Sequence, residues 1–127
     1  ANLETTTALL WAAPGRFSEV LGQLMFWGGP EKIIYSTGCT VIHPQHILSL
    51  FWDFQFTPDT LSRVGVPPIN DDIKRLILGG NYARMIGLDI EAAASAIAGD
   101  SFDQRLQAQG KLAPPWTHWR AHTEAAA

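Results

Sequence analysis

The sequence predicts an α/β domain with parallel strands, and three observations predict it. A Thr-rich apolar run from Asn2 to Trp11 comes first, an amphipathic helix second, and a β-branched and aromatic run from Lys32 to Ser36 third. This β, α, β order at short spacing is the pattern of a crossover between parallel strands. The apolar fraction, 46% of 127 residues, is enough to build a packed core.

Each element has its own reason. Asn2 to Trp11 reads as a short strand, broken by Pro14-Gly15. Phe17, Val20, Leu21, Leu24 and Met25 then recur at the spacing of one helix face. Gly28-Gly29-Pro30 stops that helix, since Gly accepts a left-handed cap and Pro cannot continue it. Lys32 to Ser36 reads as a buried strand, and Thr37 to Gln45 as the loop after it. His46 to Phe56 reads as a helix that is apolar almost all round. Thr57 to Pro68 holds three prolines and a glycine and reads as a loop. Asn70 caps a helix opened by Asp71 and Asp72, where acids suit the helix dipole. Asp89 and Ser101 read as N-caps of two more helices, Ile90 to Ala98 and Phe102 to Gln109. An irregular tail follows from Ala113 to His122, with Pro114-Pro115 and two tryptophans.

Charge and composition exclude some functions. The net charge is -3 and the isoelectric point about 5.7, with no basic stripe, which argues against nucleic acid as a partner. No apolar run approaches the roughly 20 residues that span a bilayer. Ala1 to Thr7 carries no basic leader region, so no signal peptide is expected. The single Cys39 cannot form an internal disulfide, which fits a reducing cytoplasm.

Two motifs carry a family resemblance. Ile77-Leu78-Gly79-Gly80-Asn81-Tyr82-Ala83-Arg84-Met85-Ile86-Gly87-Leu88 resembles the closing helix of the amidohydrolase-related family of metal-dependent hydrolases and decarboxylases. Lys32-Ile33-Ile34-Tyr35-Ser36-Thr37-Gly38 resembles that family's last barrel strand. The resemblance implies the C-terminal quarter of a (β/α)8 TIM barrel, with strand and helix seven and eight in residues 1–88. Residues 89–127 would add C-terminal helices and a Pro/Trp tail. Two parallel strands do not make a stable sheet. A second chain carrying the remaining strands, or a second copy, would therefore complete the barrel. The family's chemistry implies a divalent metal, zinc or a similar ion, in that assembly, and a small carbonyl or carboxylate substrate. The H-P-Q after the last strand, the aromatic helix and the P-W near the end are similar to amidohydrolase-like proteins encoded beside bacterial multicomponent diiron monooxygenases. That similarity implies an assembly or accessory role.

Gly38 stands where the family places its metal-binding Asp, and no acid lies between Glu31 and Asp53 to take its place. A glycine can neither ligate the metal nor accept a proton from bound water. Ser36 and Thr37, at the end of the predicted strand, are candidate binding residues, because barrel sites lie at C-terminal strand ends. Cys39, His43 and His46 are candidate metal ligands by residue type, though their spacing is not that of a standard zinc site. A loop histidine before proline and a histidine at a helix start account for His43 and His46 equally simply. Cys39 also reads as a small buried thiol. Asn81 is expected to bond backbone where Gly79-Gly80 lets the helix bend, and Arg84 to pair with a carboxylate. Trp27, Trp52, Phe51, Phe54 and Phe56 read mostly as core. Trp116 and Trp119 offer either a docking element for a partner or packing against the chain itself.

Overall fold

A computed structural model of the chain describes residues 1–3, 7–38 and 44–110. The described elements are helical. In order they are α1 (Thr7–Ala12), α2 (Pro14–Gly28), a 3-10 turn (Pro30–Lys32), α3 (Pro44–Asp53), α4 (Pro58–Val64) and α5 (Asp71–Arg75). A wide π-type turn (Leu76–Gly80), α6 (Asn81–Ile86), α7 (Ile90–Ile97) and α8 (Ser101–Gln109) complete the list. The chain divides into two units, Ala1–Gly87 and Leu88–Ala127.

The α/β expectation, and with it the barrel quarter, is overturned. No strand forms among the described residues. What remains of the parallel pairing is one bridge between Asn2 and Ile34. Leu3 N–H donates to the Ile34 carbonyl at 3.0 Å, and Ile34 N–H donates to the Ala1 carbonyl at 2.8 Å. Lys32, before the bridge, is wound into the 3-10 turn, and on the other side of the segment helical groups stand where a neighbouring strand would pair. Tyr35 N–H donates to the Ile77 carbonyl at 3.0 Å, and the Ile33 carbonyl accepts from Asn81 Nδ2 at 2.7 Å. The first predicted strand fails differently. Thr7–Ala12 is helix α1, because Ala and Leu, good helix formers, outweigh the β-branched threonines.

Proline explains two further differences. Pro14 does not end a strand; it opens α2 at the first helical turn, after Ala13 leaves helical geometry (φ -153°). Pro58 does the same for α4 inside the segment read as a loop. Thr57 caps that helix, its Oγ1 accepting from Thr60 N–H at 3.1 Å, and Gly65 closes it at φ +76°.

Elsewhere the local signals match the structure. Along α2 three of the five expected positions, Phe17, Leu21 and Met25, are buried, Val20 and Leu24 are half-buried, and Ser18 and Gly22 join the buried face. Gly29 ends that helix at φ +73°, its N–H donating to the Met25 carbonyl at 3.0 Å. Asn70 Oδ1 accepts from Ile73 N–H at 2.9 Å and starts α5. Asp89 caps α7 through Ala92 N–H at 2.9 Å. The cap of α8 is Asp100, one residue before the expected Ser101, with Phe102 and Asp103 N–H each at 2.8 Å.

The core of the first unit is aromatic. Phe17 of α2 and Phe51 of α3 are fully buried. Phe17 meets Phe51 and Phe54 edge-to-face at centroid distances of 6.3 and 5.1 Å, and Phe54 meets Phe56 at 5.3 Å. Leu3, Leu21, Ile33, Ile69 and Ile77 complete this packing. α3 ends at Asp53, so Phe54 and Phe56 reach the core from the segment after it rather than from the helix.

A hydroxyl cluster joins α2 to α4. Ser18 Oγ donates to Thr60 Oγ1 at 2.9 Å and accepts from Thr57 N–H at 3.2 Å. Gly22, one turn along, lets α4 come close: a Cβ there would stand 2.9 Å from Thr60 Cγ2. Gly22→Ala is therefore expected to destabilise by about 1–3 kcal/mol through overpacking, despite alanine's better helix propensity. A urea midpoint lower than wild type at unchanged slope is the expected result.

On the outer rim, Glu19 faces Arg63 at 3.2 Å and Arg16 at 3.3 Å. The Arg63 guanidinium, then that of Arg16, holds the Glu19 carboxyl below its usual value. A lowered folded value means stability that is present above the unfolded pKa and lost as pH falls through the folded one. Thermal melts should show Glu19→Gln costing more at pH 7 than below pH of about 4. At this solvated position the difference should be small.

In the second unit, α7 and α8 have no buried residue among those described. Ile90, Ile97, Phe102 and Leu106 are half exposed or more.

Candidate functional site

The candidate site grows from the extended segment 33–37, which follows the 3-10 turn. Leu3 fastens one side of it. Asn81 and Ile77 fasten the other. Ser36 and Thr37 at its end are half-buried, and Gly38 is exposed at φ +55°. That is the left-handed region, which favours glycine over a residue with a side chain. His46 lies in the first turn of α3 and is half-buried. Ser36, Thr37, Gln45 and His46 each already take part in an interaction. Cys39 and His43 lie outside the described residues, as do Trp116 and Trp119. Among the described residues, no three His, Cys, Asp or Glu side chains stand together as a set that could hold a metal ion.

Asn81 is the hub that sets this segment. It is 3% exposed, and its Nδ2 donates to the Pro30 and Ile33 carbonyls, each at 2.7 Å. Its Oδ1 accepts from Arg84 Nη2 at 2.9 Å. The expectation that Asn81 bonds backbone matches this geometry. The carboxylate partner expected for Arg84 does not: the same guanidinium donates to the Glu31 carbonyl oxygen at 2.7 Å. A backbone carbonyl and the Asn81 amide oxygen thus accept from Nη2 in place of an acid. Glu31, Lys32, Ile34, Asn81, Arg84 and Met85 line a small cleft there.

A second feature escaped the sequence reading. Lys74 of α5 is 2% exposed, and its Nζ donates to the carbonyl of Trp52, near the C-terminus of α3. The negative end of the α3 dipole suits a cation at that point. Lys74 Nζ lies 5.9 Å and Arg75 Cζ 5.5 Å from the Trp52 ring. The available signal was spacing: Lys74 precedes the buried Ile77 by one helical turn and so shares its face.

The aromatic residues expected in the core divide. Phe51, Phe54 and Phe56 are buried, whereas Trp27 is 80% exposed and Trp52 is 38% exposed. Trp11, at 65%, also faces outward, and Phe26 and Trp27 stack edge-to-face at 5.1 Å on the surface.

Compared with family models, curated proteins and solved structures, the chain gives no match. No described helix is long and apolar enough to cross a membrane. Chemically, the described site offers hydroxyls, one imidazole and a fixed backbone.

Proposed function

We propose that this chain is a non-catalytic accessory segment of amidohydrolase-related descent, working in association with another protein chain. The observation that carries the reading is Gly38. It falls where the resemblance puts the metal-binding carboxylate, and its left-handed backbone favours glycine at that spot. Three outward aromatic side chains, Trp11, Phe26 and Trp27, are the residue types that anchor protein interfaces. The likeness to proteins encoded beside diiron monooxygenases supports an assembly role. The test is elemental analysis of the undenatured protein, purified at neutral pH without chelator. Metal in fewer than about a tenth of chains is the expected result. One tightly held divalent ion per chain would overturn it.

The other reading, a metal-dependent hydrolase or decarboxylase subunit, draws on His46. His46 follows His43 by three residues and Cys39 by seven in the sequence, and these three are the candidate ligands by residue type. Under that reading, zinc binding should fall at least about tenfold on His46→Ala, since each imidazole is a principal zinc ligand.

A further inference from the structure

The turn at Leu76–Gly80 does more than join α5 to α6. Asn81 N–H reaches back to the Leu76 carbonyl, one residue further than an α-helix would reach. Such widened turns hold an extra residue and loosen the hydrogen-bond ladder. Here the loosening has a visible use. The Ile77 carbonyl, inside the wide turn, accepts Tyr35 N–H at 3.0 Å. Asn81, the next residue after the turn, places its amide on the Pro30 and Ile33 carbonyls. Both fasteners of one side of segment 33–37 therefore come from the same irregular turn. Gly79 and Gly80 weaken the helix by about 1 kcal/mol each relative to alanine, so the ladder is soft at this point.

We propose that Leu76–Gly80 is a register device that couples α6 to the Ser36–Gly38 loop. In the wide state, Ile77 holds Tyr35 and Asn81 holds Pro30 and Ile33. In the narrow state the ladder closes as ordinary α-helix, and α6 turns by about 100° about its axis, the step of one residue. Asn81 then leaves the two carbonyls, the Ile77 carbonyl returns to the helix, and segment 33–37 loses its fasteners on that side. The wide state persists because the contacts to residues 30–35 offset the cost of the irregular turn. Coupling of this kind is reciprocal. A ligand that moves Ser36 or Thr37 is read at the outward side chains of α6, Tyr82, Met85 and Ile86, which are 50%, 63% and 54% exposed. A contact that rotates α6 is read at the loop. This inference stands apart from the accessory reading and would survive its failure.

Native-state hydrogen exchange and backbone amide shifts of the full chain test it. Asn81→Ala removes what holds the wide state. It should speed exchange at Tyr35 N–H by about tenfold and shift the amide signals of Gly79, Gly80, Ser36 and Thr37 together. Amides of α2 such as Leu21 should stay in place. Deleting Gly79 excises the extra residue, so the ladder closes without turning α6. Tyr35 should then already exchange fast, and adding Asn81→Ala should change it by less than about twofold, because no second register remains. The proposal is overturned if Asn81→Ala leaves Gly79 and Gly80 unmoved, which would make Asn81 a local anchor only. It is equally overturned if Tyr35 stays protected after the deletion. Should Asn81→Ala fail to fold, Asn81→Ser gives the same readout with a milder loss, and the shifts at Gly79 and Gly80 alone then decide.

Discussion

Phe17→Ala is expected to lower the stability of the first unit by about 3–5 kcal/mol, a large share of what a domain of this size possesses. Phe17 is fully buried, and its ring contacts Phe51 and Phe54 edge-to-face at 6.3 and 5.1 Å. Truncation removes the transfer free energy of the ring and leaves a cavity between α2 and α3. Those helices cannot close it easily. Ser18, the next residue, is bonded to Thr60 and Thr57, and α4 already touches α2 at Gly22. Phe26→Ala, on the exposed side of the same helix at 53% exposure, is the control and should cost about 0.5 kcal/mol or less. Urea titrations of the two variants against wild type give the comparison. Equal losses would contradict the described core.

Substitutions at Asn81 should rank second, and their order is informative. Asn81→Ala leaves the Pro30 and Ile33 carbonyls without their shared donor and frees Arg84 Nη2 from one acceptor. The Pro30 carbonyl keeps Ile33 N–H at 3.3 Å, so the Ile33 carbonyl is the buried group that loses its donor, and a loss of about 1–3 kcal/mol is expected. Asn81→Asp keeps the shape and should still be worse. It retains the acceptor toward Arg84 but turns an oxygen toward two carbonyl oxygens, each of which lies 2.7 Å from the present nitrogen. An unpaired buried acceptor facing other acceptors has no route to satisfaction except protonation. Thermal melts at neutral pH should place wild type highest, Asn81→Ala below it and Asn81→Asp lowest. An Asp variant as stable as wild type would show that the donor role is misassigned.

These residues show which parts of the molecule local sequence reveals. The buried face of α2 was legible in part. Phe17, Leu21 and Met25 recur on one face. Ser18 and Gly22, which no apolar pattern marks, are buried with them because α4 packs there, while Val20 and Leu24 are half-buried. The caps at Asn70 and Asp89 were legible because the side-chain acceptor and its N–H donor lie three residues apart. Segment 32–36 was misread as a sheet strand because β propensity reports a pleated, half-buried surface and not the number of neighbours. Ile33 and Tyr35 have such a surface, yet their partners are a side-chain amide and a helix carbonyl more than forty residues away in the chain. Pro58 was misread as a breaker because the same fixed φ that disrupts a helix interior suits its first turn. At the candidate site, Asn81 was legible through the neighbouring glycines. Lys74 was not: its spacing from Ile77 places it on the buried face, but the acceptor that makes burial tolerable, the Trp52 carbonyl, lies 22 residues away in the chain. The metal reading of Cys39, His43 and His46 rested on residue type alone. Of the three, only His46 falls within the described residues.

Native mass spectrometry of the undenatured protein, purified without chelator, tests the functional reading most directly. One spectrum reports both assembly and metal. The accessory reading predicts species heavier than the 13.9 kDa chain, containing a second protein chain and no stoichiometric metal on this one. A stable 13.9 kDa monomer that carries one divalent ion per chain would contradict it.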